Sequence, residues 1–572
     1  MASPGYFSFL ISTLILMVIV SGCSFQRLPE TQLTATPPAE IHSRQFGQEV
    51  IQVTSGVYVA VGFGPANVVL IEGSDGIIIV DTMESEESAI LVKAAFTEIT
   101  KKPVKAIIYT HFHSDHTFGA TIMAGKDNPK IYAHHTTENY LNQMINITRG
   151  ETINQRIIRQ LGDLLPSGVS RREPTHSGLS FGNNGTPGLL YPTRTYNCGW
   201  KKLNIAGIRM ILIHAPGETP DQTIVWLPEK KVMLAGDNFY NAFPNLHAMR
   251  GMTGHNATLW IQSLDTMRNL RPEFLVPSHA LPIKGTETIY ETLTHYRDAI
   301  QFVHDQTIRL MNAGLPSEEI ALQIKLPAHL ARLPYLQENP GTIEWSVRAI
   351  YDSYSKWHDG NVPDLFPISP REKAERLASL AGGKANLLDH AKAAVTAGDY
   401  QWALLLTDQL SQLDPGMTDA PELREISLRN LEKSQVAATG RNYYPTEALE
   451  AKGRLRIEGT TISHPTLLHN IPMSTIFHAM IANLDPGKSA NIEMVAGFRF
   501  PDTNEVYTVH VRNGIAEIRP QYPDNPDLAV TVDSHTWKEV MAGQRNATLT
   551  IMRDATVDGG TIRLARFLSL FN

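Results

Sequence analysis

From Val50 onward the apolar residues fall in short runs cut by glycine and aspartate. Val57–Val61 and Asn67–Ile71 have the length and β-branched content of strands. Ser74-Asp75-Gly76 is a hairpin signal, and Ile77–Val80 follows it as another strand. Between residues 85 and 100 the spacing changes: apolar side chains at 90, 91, 92, 95 and 96 predict a helix. Val104–Tyr109 is then a short buried strand. A second alternation of strands and turns runs from Leu203 to Pro282, so the pattern up to about residue 300 predicts packed sheets covered by helices.

After Glu287 the period becomes helical. Thr288–Asn312, Glu318–Leu326 and Ala385–Leu413 carry apolar residues at helical spacing, the last with a break at Ala397-Gly398-Asp399-Tyr400. The paired helices look repeat-like but keep no strict period. From about residue 447 the chain is mixed again. Tyr507–Val511 and Ile515–Ile518 flank Asn513-Gly514, a strong two-residue hairpin signal.

A chain of 572 residues exceeds what one hydrophobic core serves, so two to four domains are expected. Charged residues make up 19%, the net charge is -7, and no Lys/Arg-rich run occurs; a nucleic-acid partner has no electrostatic support. Two cysteines, Cys23 and Cys198, are too few for a disulfide framework or a cysteine zinc site. Phe7–Val20 is a strongly apolar run, short for a bilayer span, and small residues follow it in Val20-Ser21-Gly22-Cys23. That reads as a signal peptide over residues 1–23. Its ending resembles the bacterial lipobox, which implies export to the periplasm and lipid attachment to a membrane at Cys23. Residues 24–44, with prolines at 29, 37 and 38, read as a tether.

The chemistry gathers after the strand at 104–109. Thr110-His111-Phe112-His113-Ser114-Asp115-His116 places three imidazoles and a carboxylate within six residues. In a loop, side chains two apart converge on one ion while the next pair converges on a second. Imidazole nitrogen and carboxylate oxygen together suit Zn²⁺. The alternative is a solvated polar loop, which an H-x-H-x-D-H string directly after an apolar strand makes improbable.

This string is the signature of the metallo-β-lactamase superfamily, and Asp81, closing Ile79-Val80-Asp81, resembles that superfamily's structural aspartate. In His214-Ala215-Pro216-Gly217-Glu218-Thr219-Pro220 a glutamate stands where most members have histidine, which resembles the linear alkyl sulfatase (type III) family. The resemblance implies an α/β catalytic domain, a metallo-β-lactamase αββα sandwich at 45–300. It further implies an all-α helical dimerisation domain at 301–446 and a C-terminal α+β sterol-carrier-like domain at 447–572. Two Zn²⁺ ions are implied, one held by His111, His113 and Glu218, the other by Asp115, His116 and His279, with Asp237 as bridge. Asp115 and Asp237 are then the catalytic carboxylates, and Asn245 and Arg250 resemble the family's sulfate contacts. Two departures stand out: the family usually has glutamate at the position of Asp237, and Thr-Glu rather than Glu-Thr after Pro-Gly. The expected activity is hydrolysis of a small amphiphilic sulfate ester to alcohol and inorganic sulfate by a homodimer. The rivals are a lactamase, lactonase or phosphodiesterase on the same ions, and an amphiphile-binding lipoprotein without turnover. His247, His255 and His304 are candidates for a general acid by residue type alone.

Overall fold

The computed structural model describes residues 47–571, apart from 148–150, 163, 167–184, 248, 250, 252–254, 340, 357, 359 and 458–464. The signal peptide, the lipobox with Cys23, the tether and Arg250 therefore lie outside the described residues.

The catalytic region is built on two sheets. The first has seven strands in chain order: β1 (Glu49–Thr54), β2 (Val57–Val61), β3 (Val68–Glu72), β4 (Ile77–Val80), β5 (Val104–Ile108), β6 (Lys130–His134) and β7 (Arg194–Tyr196). The second has six: β8 (Trp200–Ile205), β9 (Ile208–His214), β10 (Thr223–Leu227), β11 (Val232–Gly236), β12 (Phe274–Pro277) and β13 (Ile283–Lys284), with neighbours again consecutive. Alternate residues explain the continuous apolar runs. Val69, Ile78, Val80 and Ile108 of the first sheet meet Leu212, Val225, Leu234 and Val276 of the second in the core between the sheets. Leu70, Ile79 and Ile107 point the other way, against the helix Glu86–Ile99. Ile224, Trp226 and Met233 point outward from the second sheet against the helices Ala257–Asn269, Thr286–Asn312 and Ile343–Ser355. Strands buried on both faces have no polar side to alternate with, which is why their sequences read as unbroken apolar runs. The result is the helix–sheet–sheet–helix layering expected.

The helix Thr286–Asn312 runs continuously through the 300/301 boundary, and its Tyr296, Ile300 and Val303 belong to the core over the second sheet. Beyond it, helices Pro370–Leu380, Lys384–Ala397, Tyr400–Leu413 and Asp419–Ser434 pack around Leu387, Ala391, Leu406, Leu410 and Leu423. Gly398, at φ 78°, ends one helix in the left-handed conformation, and Asp399 caps the next through Trp402 N–H.

The C-terminal region holds a five-stranded sheet in the order β16-β15-β14-β17-β18, from β14 (Glu493–Phe500), β15 (Glu505–Arg512), β16 (Ile515–Arg519), β17 (Leu528–Val532) and β18 (Ala555–Asp558). Asn513 and Gly514 both take positive φ, 44° and 90°, as a two-residue hairpin requires. The core of this region is not its own alone. Phe112, Phe118, Leu141, Ile145 and Leu189 of the catalytic region share one buried cluster with Leu467, Phe477, Phe498, Trp537 and Phe567. Asn470 Nδ2–H donates to Leu189 O at 2.9 Å, and Thr475 Oγ1–H donates to Asn142 Oδ1 at 3.0 Å, across the same junction.

Candidate metal centre

Four strand ends deliver the site. β5 runs into the loop of His111 and His113 and then a short helix, Ser114–Thr117, that carries Asp115 and His116. β9 ends just before Glu218, β11 just before Asp237, and β12 just before His279. β4, β5 and β6 are parallel, and β9, β11 and β12 share one direction, so these loops gather at the carboxyl ends of both sheets. Two cross-links pin them: Thr223 N–H donates to Thr110 O at 2.7 Å, and Asn67 Nδ2–H bonds both Pro277 O and Ala280 O beside His279.

The ligand atoms fall into two groups, His111, His113, Glu218 and Asp237 in one, Asp115, His116 and His279 in the other. Glu218 Oε2 is 3.7 Å from His111 Nε2 and 3.5 Å from His113 Nδ1. His116 Nε2 and His279 Nε2 each stand 3.5 Å from Asp115 Oδ2. Asp237 faces both groups: Oδ2 is 3.6 Å from His111 Nε2 and 3.1 Å from His279 Nε2, and Oδ1 is 3.5 Å from His116 Nε2. Ligands about 2.0–2.2 Å from a tetrahedral ion are separated by edges of about 3.3–3.6 Å, so most of these spacings fit a shared cation. Asp237, one carbon shorter than a glutamate, still reaches both groups. Asp237 Oδ1 and His116 Nε2 are buried without a hydrogen-bond partner, which a cation between them satisfies.

The remote nitrogens show how these imidazoles are oriented. Asp81 Oδ1 accepts from Thr110 N–H and its Oδ2 from Thr110 Oγ1–H, each at 2.8 Å, so the hydroxyl oxygen is left to accept from His111 Nδ1–H at 3.0 Å. Asp81 Oδ2 also takes His116 Nδ1–H at 2.8 Å, and Pro65 O takes His279 Nδ1–H at 2.7 Å. Each tie fixes the tautomer and leaves Nε2 with its lone pair facing the centre. Asp81 does this from a left-handed backbone, φ 59°, a strain that recurs at functional sites.

Charge follows the packing. Burial pushes the His111 imidazole well below its ordinary range, helped by neighbouring His116 and His113. For Asp237 burial acts upward, but His279, His116 and His111 outweigh it and hold the carboxyl well below the usual range. Glu84, packed beside Gly64, is pushed up to about 8, chiefly by burial.

Among the three candidate proton donors, the fold brings His255 to the centre. Its Nε2 is 3.6 Å from Glu218 Oε1, and its Nδ1–H bonds the backbone carbonyl of Asn245. His247 faces Asp352 and Arg348 of the helix Ile343–Ser355, and His304 bonds Asp305 and Tyr354, both away from the ligands. Asn238 went unassigned in the sequence, yet its Oδ1 accepts from Glu218 N–H at 3.2 Å and its Nδ2–H bonds Ala215 O at 2.8 Å. Its place directly after Asp237 was the only signal.

A two-sheet sandwich with these seven candidate metal ligands at its strand ends defines a metallo-β-lactamase-fold hydrolase. The superfamily's sequence profile matches residues 61–279, and profiles for alkyl sulfatase dimerisation and the alkyl sulfatase C-terminal region match 317–454 and 461–572. A linear primary-alkylsulfatase from a Pseudomonas species is 33% identical over 88% of this chain and 98% of its own length. An alkyl/aryl-sulfatase of Saccharomyces cerevisiae is 26% identical over 95% of this chain and 86% of its own. The chain belongs to the alkyl sulfatase family of the metallo-β-lactamase superfamily. The solved structure of the stereoselective inverting sec-alkylsulfatase Pisa1 from Pseudomonas superposes with a TM-score of 0.84 at 26% identity, covering 92% of this chain and 84% of that one.

Proposed function

We propose that the protein is a binuclear zinc alkyl sulfatase that hydrolyses small amphiphilic sulfate esters to an alcohol and inorganic sulfate. The observation that carries the reading is the convergence of seven side chains in two groups joined by Asp237, within an alkyl sulfatase framework. Two Zn²⁺ ions bound there would supply Lewis acidity and a water of lowered pKa. Asp237 shares one carboxylate between the two groups and Asp115 completes the second, so together they offset the positive charge that the centre concentrates. His255 donates Nδ1–H to the Asn245 carbonyl, so it serves as proton donor to the departing oxygen only as the imidazolium, with its second proton at Nε2 on the side facing Glu218. Asn245 and Arg250 are assigned to the sulfate head; a guanidinium fork matches the oxygens of a tetrahedral anion and stays charged at working pH.

Association as a homodimer is supported by the dimerisation profile and by exposed apolar side chains within it, Phe366 at 93% and Leu380 at 85% exposure. Export to the periplasm and lipid attachment at Cys23 are supported by the apolar run before Val20-Ser21-Gly22-Cys23. One assay addresses substrate and location together: release of sulfate from dodecyl sulfate, measured on membrane and soluble fractions of expressing bacteria beside a β-lactam, a lactone and a phosphodiester. The expected outcome is dodecyl sulfate turnover, concentrated in the membrane fraction and far above the other substrates. Preference for the phosphodiester or β-lactam would discard the sulfatase reading, and activity confined to the soluble fraction would discard the lipid anchor.

A further inference from the structure

After β9 the chain turns through Ala215, Pro216 and Gly217 to reach Glu218, and the backbone of this turn is held from two sides. On one side stands Asn238, the residue after Asp237. It is fully buried, and its amide spans the turn: Nδ2–H donates to Ala215 O at 2.8 Å and Oδ1 accepts from Glu218 N–H at 3.2 Å. The helix Ala257–Asn269 supplies the other side. Ser263 Oγ–H donates to Pro216 O at 2.8 Å, and Trp260 Nε1–H donates to Asn238 O at 3.0 Å. Gly217 is enclosed between them; a Cβ there would collide with Asn238 Oδ1 and stand 2.9 Å from Trp260 Cδ1. Glu218 and Asp237 both belong to the first metal group, and none of these four bonds is made to Asp115, His116 or His279.

The two partners of the amide fix the chemistry of position 238. A carbonyl only accepts and a backbone N–H only donates, so one short side chain must offer a donor and an acceptor together. Aspartate would set a second oxygen against the Ala215 carbonyl. Leucine has nearly the same shape but would take this partner from both buried backbone groups. Glutamine is one methylene longer than the gap against Gly217 allows. Asparagine is therefore explained by the turn it closes rather than by the space it fills. Because it directly follows Asp237, it also ties the two carboxylates of the first metal group to each other.

We propose that Asn238 and Ser263 are positioning residues for the first of the two metal positions, holding the Ala215–Glu218 turn so that the Glu218 carboxylate meets His111 and His113. This rests on the binuclear reading above. The geometry gives it a signature that general destabilisation lacks: it acts on one ion and not on the other.

The test is stepwise titration of the full-length metal-free protein with Co²⁺, following both dissociation constants and the visible ligand-field spectrum, in the native protein, Asn238→Leu and Ser263→Ala. The absorption lost in His113→Ala marks the first position. In Asn238→Leu the ion at that position is expected to bind about 10–100-fold more weakly with an altered band, while the other stays within about threefold, the size of effect usual for a residue that orients a ligand. Ser263→Ala, which removes one bond, should weaken the same ion several-fold. Either variant folded with unchanged constants and spectrum would overturn the proposal, as would equal weakening of both ions. Should Asn238→Leu fail to fold, Ser263→Ala carries the same test alone, with the same outcomes for and against. A native protein that binds no Co²⁺ would instead contradict the binuclear reading itself, so the two failures are distinct.

Discussion

Asp237→Ala is expected to lower turnover of an alkyl sulfate on the order of 10³-fold or more, above 4 kcal/mol of transition-state stabilisation, and to leave the protein with less than one tightly held ion per chain. The magnitude follows from its place. Its Oδ2 faces His111 and His279 and its Oδ1 faces His116, so one truncation takes a ligand from both groups. Circular dichroism and metal analysis on the purified variant separate this from unfolding. A variant that keeps two ions and near-native turnover would show that Asp237 is no bridge.

Ending the chain at residue 457 is expected to destroy the metal site rather than merely change chain-length preference. A detachable C-terminal wall for the alkyl chain would leave the metal site intact when removed. Its core, however, is continuous with Phe112, Phe118, Leu141, Ile145 and Leu189, and Phe112 lies between two ligand histidines. Fully burying such side chains contributes roughly 1.5–3 kcal/mol each. Exposing even half of that surface costs on the order of 4–8 kcal/mol, comparable with the 5–15 kcal/mol total stability of a typical domain. The truncated protein should be insoluble, or metal-poor with a melting temperature lower by about 10 °C or more. A soluble fragment with full zinc content and native activity on short-chain esters would contradict this coupling.

The parts legible in the sequence share a cause. Ile77–Val80 and Val232–Gly236 are buried at every position and Val104–Ile108 at all but Lys105, so composition marks them, and each leads directly into residues of the site. Asp81, the 111–116 loop, Glu218, Asp237 and His279 could be read because strand ends announce them. Asn513-Gly514 was legible because two successive positive φ angles demand those residue types. What stayed hidden depends on distance along the chain. Asp221 reaches back to Thr137, and His255 reaches Glu218 while its other nitrogen is tied to Asn245. Neither carries a local pattern. The shared core around Phe112 was equally silent, since an apolar position in Phe477 or Phe498 reads the same whether it packs within its own region or against a neighbour.

The central claim is that two bound divalent ions make this arrangement a sulfatase. Its most direct test is to strip the purified full-length protein with a chelator and add Zn²⁺ back in steps, measuring bound metal and sulfate release from a medium-chain alkyl sulfate at each step. Activity should be absent in the stripped protein and should rise to a plateau at two ions per chain. Full sulfate release from protein holding no metal would contradict the account.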